Sequence, residues 1–162
     1  MRKSFKTISL LFVLVMGVIV LTGCDKEMPE SFSIICEGSD NTTEGVKTTN
    51  KSVYNFNKEQ LVTDYEISTV SVYTDEETYK IYKEGAEQTA NSSTDDSPIK
   101  YTIKTDDKTK TVDFSYKATL TKEMYNEVED KDYYKAVKVL ERAESNPDAK
   151  CTFKGIERNQ IT

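Results

Sequence analysis

Along much of this chain apolar and polar residues alternate, and changes in that alternation mark out the elements. Phe32, Ile34 and Cys36 fall on one side of a segment that reads as a strand over 31–36. The stretches 51–56 and 61–73 read as a hairpin around Asn57-Lys58-Glu59. In its second arm Leu61, Tyr65 and Ile67 keep one phase and Val70 and Val72 the other, so a bulge is expected near Ser68 or Thr69. Thr74-Asp75-Glu76-Glu77 then has the form of a capping box, opening a helix with Tyr79, Tyr82 and Ala86 on one side. Residues 90–98, rich in Ser, Thr, Asn and Asp, read as a loop.

The strictest alternation follows. Ile99, Tyr101 and Ile103, a polar turn over 105–110, and Val112, Phe114, Tyr116, Ala118 and Leu120 describe a hairpin with one buried face. Residues 121–129 read as a short helix with Met124, Tyr125 and Val128 inward. Tyr133, Ala136, Val137, Leu140 and Ala143 have the spacing of another helix, stopped by Asn146-Pro147. Ala149, Cys151 and Phe153 alternate as a last short strand. The order β-β-β-α-β-β-α-α-β implies one α+β domain over 31–154, an antiparallel β-sheet with two or three helices packed on one face. Residues 155–162 are left as a C-terminal tail.

The first 23 residues follow a different logic. A basic start (Arg2, Lys3, Lys6) precedes an apolar run from Ile8 to Leu21, the layout of a secretory signal. The run is shorter than the roughly 20 apolar residues a spanning helix needs. It ends in Leu21-Thr22-Gly23-Cys24, an apolar residue and two small ones before a cysteine. That is the lipobox of bacterial lipoproteins, in which the cysteine is lipidated and becomes the new N-terminus. The expectation is therefore a signal peptide over 1–23 and a lipid on Cys24, whose two or three acyl chains anchor stably where a single chain binds only marginally; an uncleaved anchor and ordinary secretion are the other readings. Residues 24–30 would be a short tether, about 20 Å when extended, holding the domain close to the outer, extracytoplasmic face of the cell membrane.

Charge narrows the partners. Removing residues 1–23 leaves 139 of 162 residues and takes away three basic residues and no acid. The 22 basic residues become 19 against 28 acids, a net charge of −9. Such a surface repels polyanions, so nucleic acid is not an expected partner. The membrane is reached through the lipid on Cys24.

With Cys24 lipidated, Cys36 and Cys151 are the remaining pair. An exported chain permits a disulfide, and such a bridge would join the first strand to the last, making them neighbours. Two buried free thiols or a redox-active pair are the other readings, the last without a Cys-x-x-Cys to support it.

Much chemistry is excluded by composition. The chain has no histidine, which removes Ser-His-Asp and Cys-His nucleophilic sites and histidine-ligated zinc. Phosphate-cradling and dinucleotide glycine motifs are missing too. Asp40 to Gly45 starts like a calcium loop but has Thr42 third and Lys51 twelfth, so it reads as a turn. Carboxylate pairs such as Glu123 and Glu127, or Asp95 and Asp96, read as solvated faces. The ten tyrosines could line a groove for peptide or glycan, but their phase places most of them inward, where they read as core. The lack of tryptophan weakens a sugar-binding site. No catalytic, cofactor or metal site is assigned.

The lipobox at Cys24, the β-rich α+β layout, and Ile35-Cys36-Glu37 and Cys151-Thr152-Phe153-Lys154 near the two ends resemble the small uncharacterised bacterial lipoproteins, more loosely the YehR-like group. The resemblance implies no activity. Taken together the residues point to a non-catalytic binding or interaction module of the cell envelope, with an unidentified envelope protein as a possible partner. The alternative is a carboxylate- or tyrosine-based enzyme acting on cell-envelope substrates.

Overall fold

The computed structural model describes residues 27–94 and 96–162; the expected signal segment, Cys24 and the start of the tether lie outside them. Six strands, β1 (Ser31–Asp40), β2 (Val46–Asn57), β3 (Val62–Tyr73), β4 (Ile99–Asp106), β5 (Thr111–Thr119) and β6 (Lys150–Lys154), form one antiparallel sheet in the order β4-β5-β3-β2-β1-β6. Three helices, α1 (Glu76–Asn91), α2 (Lys122–Glu127) and α3 (Ala136–Glu144), accompany it. The apolar residues of α1 and α3 pack on the same sheet face, giving the expected α+β architecture.

That face follows from the register. Phe32 opposes Phe56, Ile34 opposes Tyr54, and Cys36 opposes both Ser52 and Cys151, so their side chains share one side. At one end α3 presents Ala136, Val139, Leu140 and Ala143, spaced i, i+3, i+4, i+7, to Phe32, Ile34, Phe56 and Val62. The Phe32 and Phe56 rings stack at 4.8 Å. Each fully buried side chain of this kind contributes roughly 1.5–3 kcal/mol. At the other end α1 inserts Tyr79 beside Tyr73 and Val112, a smaller cluster.

Cys36 and Cys151 form a disulfide, and β1 and β6 are neighbours. Their α-carbons are 4.0 Å apart, because the two residues face each other directly across antiparallel strands, where opposed α-carbons come closest. The sheet stays open, with β4 and β6 as its edges.

Several local expectations change. No bulge occurs at Ser68 or Thr69: β3 pairs regularly with β5 through both, and the irregularity lies where Asn55 pairs with Asp64 and Phe56 with Val62, leaving Thr63 extra. Val70 and Val72 therefore lie on the open face, with Val72 40% exposed, and Thr69 and Ser71 take the helix-bearing face. Asp75, not Thr74, caps α1, accepting from the Thr78 amide at 2.7 Å. The Thr74 amide is committed to the Gly45 carbonyl at 2.8 Å. Gly45 has φ +77°, and a Cβ there would stand 2.7 Å from the Thr74 hydroxyl, so this turn requires glycine. Tyr133 precedes α3 in a turn and is 41% exposed.

The two flanks pack instead of trailing. Met28 lies against the α3-side core, and Glu30 pairs with Lys58 at 3.0 Å. Ile156 is buried, Ile161 packs on the same core, and Arg158 binds Glu144 through both carboxylate oxygens at 2.8 and 2.6 Å. Among the described residues no helix is long and apolar enough to cross a membrane.

Candidate functional site

The helix-bearing face is covered at its two ends but not in its middle. There β2 and β3 carry small polar side chains where a core would place apolar ones. Thr48 opposes Ser71, and Asn50 opposes Thr69. They satisfy one another: the Thr48 and Ser71 hydroxyls lie 3.1 Å apart, and Thr69 Oγ1 donates to Asn50 Oδ1 at 2.9 Å. Over this floor lies a groove of about 460 Å³. One wall is α1, through Ile81, Tyr82, Gly85, Ala86 and Thr89; the sheet adds Tyr73, Val112 and Phe114. None of its eleven lining residues is charged, in a chain that is 31% charged. A second cleft of about 230 Å³ adjoins it over Asn50, Ser52 and Ile67, bounded by Arg142, Ala143 and Asn146 beside α3. Together they form a trough between the two helices.

The α1 wall has two features that folding does not explain. Ile81 is 62% and Tyr82 55% exposed, although the spacing with Tyr79 and Ala86 places Tyr82 inward; only Tyr79 of this group is buried. Gly85 sits mid-helix, where glycine costs about 1 kcal/mol relative to alanine. A Cβ there would meet nothing within 4 Å, so no neighbour demands the missing side chain. Thr89 Oγ1 caps the Gly85 carbonyl at 2.9 Å, turning its hydrogen-bonding capacity back into the helix.

Beside the trough runs a chain of rings: Tyr54 to Tyr65 at 5.7 Å, Tyr65 to Tyr116 at 6.0 Å, Tyr116 to Tyr101 at 6.0 Å, and Tyr101 to Phe114 at 5.7 Å. Tyr73 and Tyr79 are buried and Tyr54, Tyr65 and Tyr134 pack half-buried against the α3-side core, as expected, whereas Tyr82 and Tyr133 are exposed. The hydroxyls of Tyr54, Tyr65 and Tyr116 bond to no other described residue. No buried side-chain polar atom among the described residues lacks a partner, so these hydroxyls reach water. Partial burial, reinforced by the neighbouring phenols, pushes the Tyr65 hydroxyl up to about 12 and raises Tyr54 and Tyr116 in the same direction. All three stay neutral donors across the physiological range. Arg142 lies over the Tyr133 ring at 3.9 Å and donates to the Tyr133 carbonyl at 2.8 Å, pinning the far rim.

The other sequence-derived candidates are not drawn together. Cys36, bridged to Cys151, borders the smaller cleft. Glu123 and Glu127 are exposed on α2, and backbone hydrogen bonding at the helix start holds Glu123 below the usual carboxylate range. Asp96 is exposed and Asp95 lies outside the described residues. Asp40 closes a local turn, accepting from the Thr42 amide at 2.9 Å and hydroxyl at 2.7 Å. Among the described residues no three metal-ligating side chains cluster. A further cleft of about 510 Å³ near Glu30 and Lys154 is polar, but its groups pair internally: Ser33 donates to Asn55, and Asn55 and Thr63 both donate to Asp64.

The sequence signal for the trough is Thr69 and Ser71 in the core-facing phase of β3, which the bulge expected at Ser68 or Thr69 would have turned to the other face. No protein-family model matches the chain, nor does any curated protein or solved structure.

Proposed function

We propose that this protein is a lipid-anchored lipoprotein on the outer face of the cell membrane, working as a non-catalytic binding module through the trough between α1 and α3. The anchoring half rests on the basic and apolar start and on Leu21-Thr22-Gly23-Cys24. The observation that carries the binding half is Gly85: a mid-helix glycine with no steric cause, facing an uncharged groove beside the exposed Ile81 and Tyr82. A partner that approaches α1 closely accounts for both the missing side chain and the uncovered Ile81 and Tyr82. The carboxylates with shifted proton affinity, Asp40, Asp75, Asp106, Asp107 and Glu123, all move downward, away from the raised values that suit a general acid.

Two experiments test the halves separately. Cys24→Ala, or inhibition of the lipoprotein signal peptidase by globomycin, should leave unprocessed precursor; a Cys24→Ala protein still cleaved and lipid-labelled would overturn the anchor. A photo-crosslinking residue at Ile81 in intact cells should give a defined adduct that the same residue at Lys104, on the open sheet face, does not. Identical, featureless labelling from both positions would remove the trough as the binding surface.

A further inference from the structure

We propose that the trough takes an uncharged glycan segment, a run of neutral hexose or N-acetylhexosamine units, an inference that rests on the trough being the binding surface. A pyranose ring presents an apolar C–H face and a rim of hydroxyls, so its site needs a flat ring beside hydrogen-bonding side chains. Tyr82 offers the ring, 55% exposed and stacked on Tyr73 at 5.2 Å with 26° between planes. Thr48, Asn50, Thr69 and Ser71 bond to one another but keep spare hydroxyl lone pairs and the Asn50 NH2 across the floor from it. The water-facing phenols of Tyr65 and Tyr116 add neutral donors on the flank.

Charge selects among polymers. The groove lining is uncharged, whereas the ionic residues of α1, among them Glu76, Lys80, Glu84 and Glu87, lie outside it. In that groove a charged saccharide would lose hydration without meeting a counter-ion. The ionic residues of the adjoining cleft are committed, Lys51 to Glu37 at 2.7 Å and Arg142 to the Tyr133 carbonyl and ring.

Other occupants fit the floor less well. An acyl chain would strip water from the four polar side chains and return no hydrogen bond. An extended peptide is captured along a strand edge by main-chain bonding, but β2 and β3 are interior strands whose main chains are committed to their neighbours. An amphipathic helix needs an apolar groove, and this floor is polar.

The test uses the full-length protein in lipid nanodiscs, titrated calorimetrically with chitotetraose, its fully N-deacetylated cationic counterpart, tetragalacturonate and an uncharged octapeptide. Chitotetraose should bind saturably with a Kd of about 1 mM or tighter, and the two charged oligomers roughly tenfold more weakly. Tyr82→Ala, at an exposed position, should weaken binding by roughly tenfold. Gly85→Leu should abolish it while leaving the unfolding midpoint equal or higher, because leucine is the better helix former and its Cβ meets nothing within 4 Å in the unliganded fold. Saturable binding unaffected by Gly85→Leu would place the glycan elsewhere and overturn the inference. Absence of chitotetraose binding also overturns it. If the Ile81 adduct still forms or the octapeptide binds, only the glycan class falls; if all three fail, the binding reading falls with it.

Discussion

The two ends of the helix-bearing face are built to different standards. Around α3 the packing is deep: Ile34 and Val62 are fully enclosed, Phe32 and Phe56 stack, Ile156 and Ile161 cover the flank, and the disulfide ties β1 to β6. Around α1 the helix is held by one buried residue, Tyr79, whose hydroxyl reaches Asp107 at 2.6 Å beside the Lys83–Asp107 pair at 2.7 Å. An exposed ion pair of that kind contributes little. The contrast teaches that α1 is attached by a narrow strip, which leaves its neighbouring stripe free over the trough, while the α3 end carries the stability.

Breaking the bridge should give the largest effect. A crosslink between residues 115 apart contributes about 4–5 kcal/mol in the chain-entropy model. Cys36→Ala with Cys151→Ala should lower the unfolding free energy by that order in urea titration. Reduction should do the same to the native chain and nothing to the double variant. Two freely alkylated thiols in the oxidised native protein would refute the bridge and with it the stapled end.

The next effect tests the packing difference itself. Ile34→Ala, in the fully enclosed α3-side core, should cost about 3 kcal/mol through lost burial and a cavity. Val112→Ala, in the smaller cluster under α1, should cost less. Equal losses by calorimetry would erase the distinction between the ends.

A smaller effect comes from the tyrosines between them. With Tyr65 raised to about 12, and Tyr54 and Tyr116 raised as well, the folded chain holds these protons more tightly than the unfolded chain, where phenols titrate near 10. Their contribution is complete below pH 10 and is lost as pH rises from there to about 12. The urea midpoint should fall across that window, and Tyr65→Phe should flatten the fall; an unchanged slope in the variant would rule Tyr65 out as a source.

The smallest prediction concerns the open wall. Gly85→Ala should raise stability by about 0.5–1 kcal/mol, since the new Cβ meets nothing and glycine is the poorer helix former. A loss instead would mean that α1 needs glycine for its own fold, and the reading of that position as cleared for a partner would fail.

Much of this could be read along the chain. The alternation of Phe32, Ile34 and Cys36, and of Ile99 through Ala118, directly places strands and their inner faces, because a strand's side-chain period is a local property. The start of α1 was legible to within one residue for the same reason, a cap being a contact across three residues. With one cysteine assigned to the lipid, counting alone made Cys36 and Cys151 the candidate pair.

What lay beyond local reading was decided by partners far away in sequence. Residues 155–162 look like a tail until Gln60 accepts from the Thr162 amide at 3.1 Å and Ile156 enters the core. Tyr82 keeps helical phase with Tyr79, yet Tyr79 is buried against the sheet and Tyr82 is 55% exposed, a difference the spacing along the helix does not set. Thr69 and Ser71 share the face of Tyr65 and Tyr73 because β3 runs in unbroken register between β2 and β5. So the sequence by itself determined the strands and the helices, set by neighbours a few residues apart, and counting named the two cysteines, whereas their bridge is a contact between residues 115 apart that the fold makes. The trough was decided by tertiary structure, because an uncovered face exists only where two helices from distant parts of the chain stop short of each other.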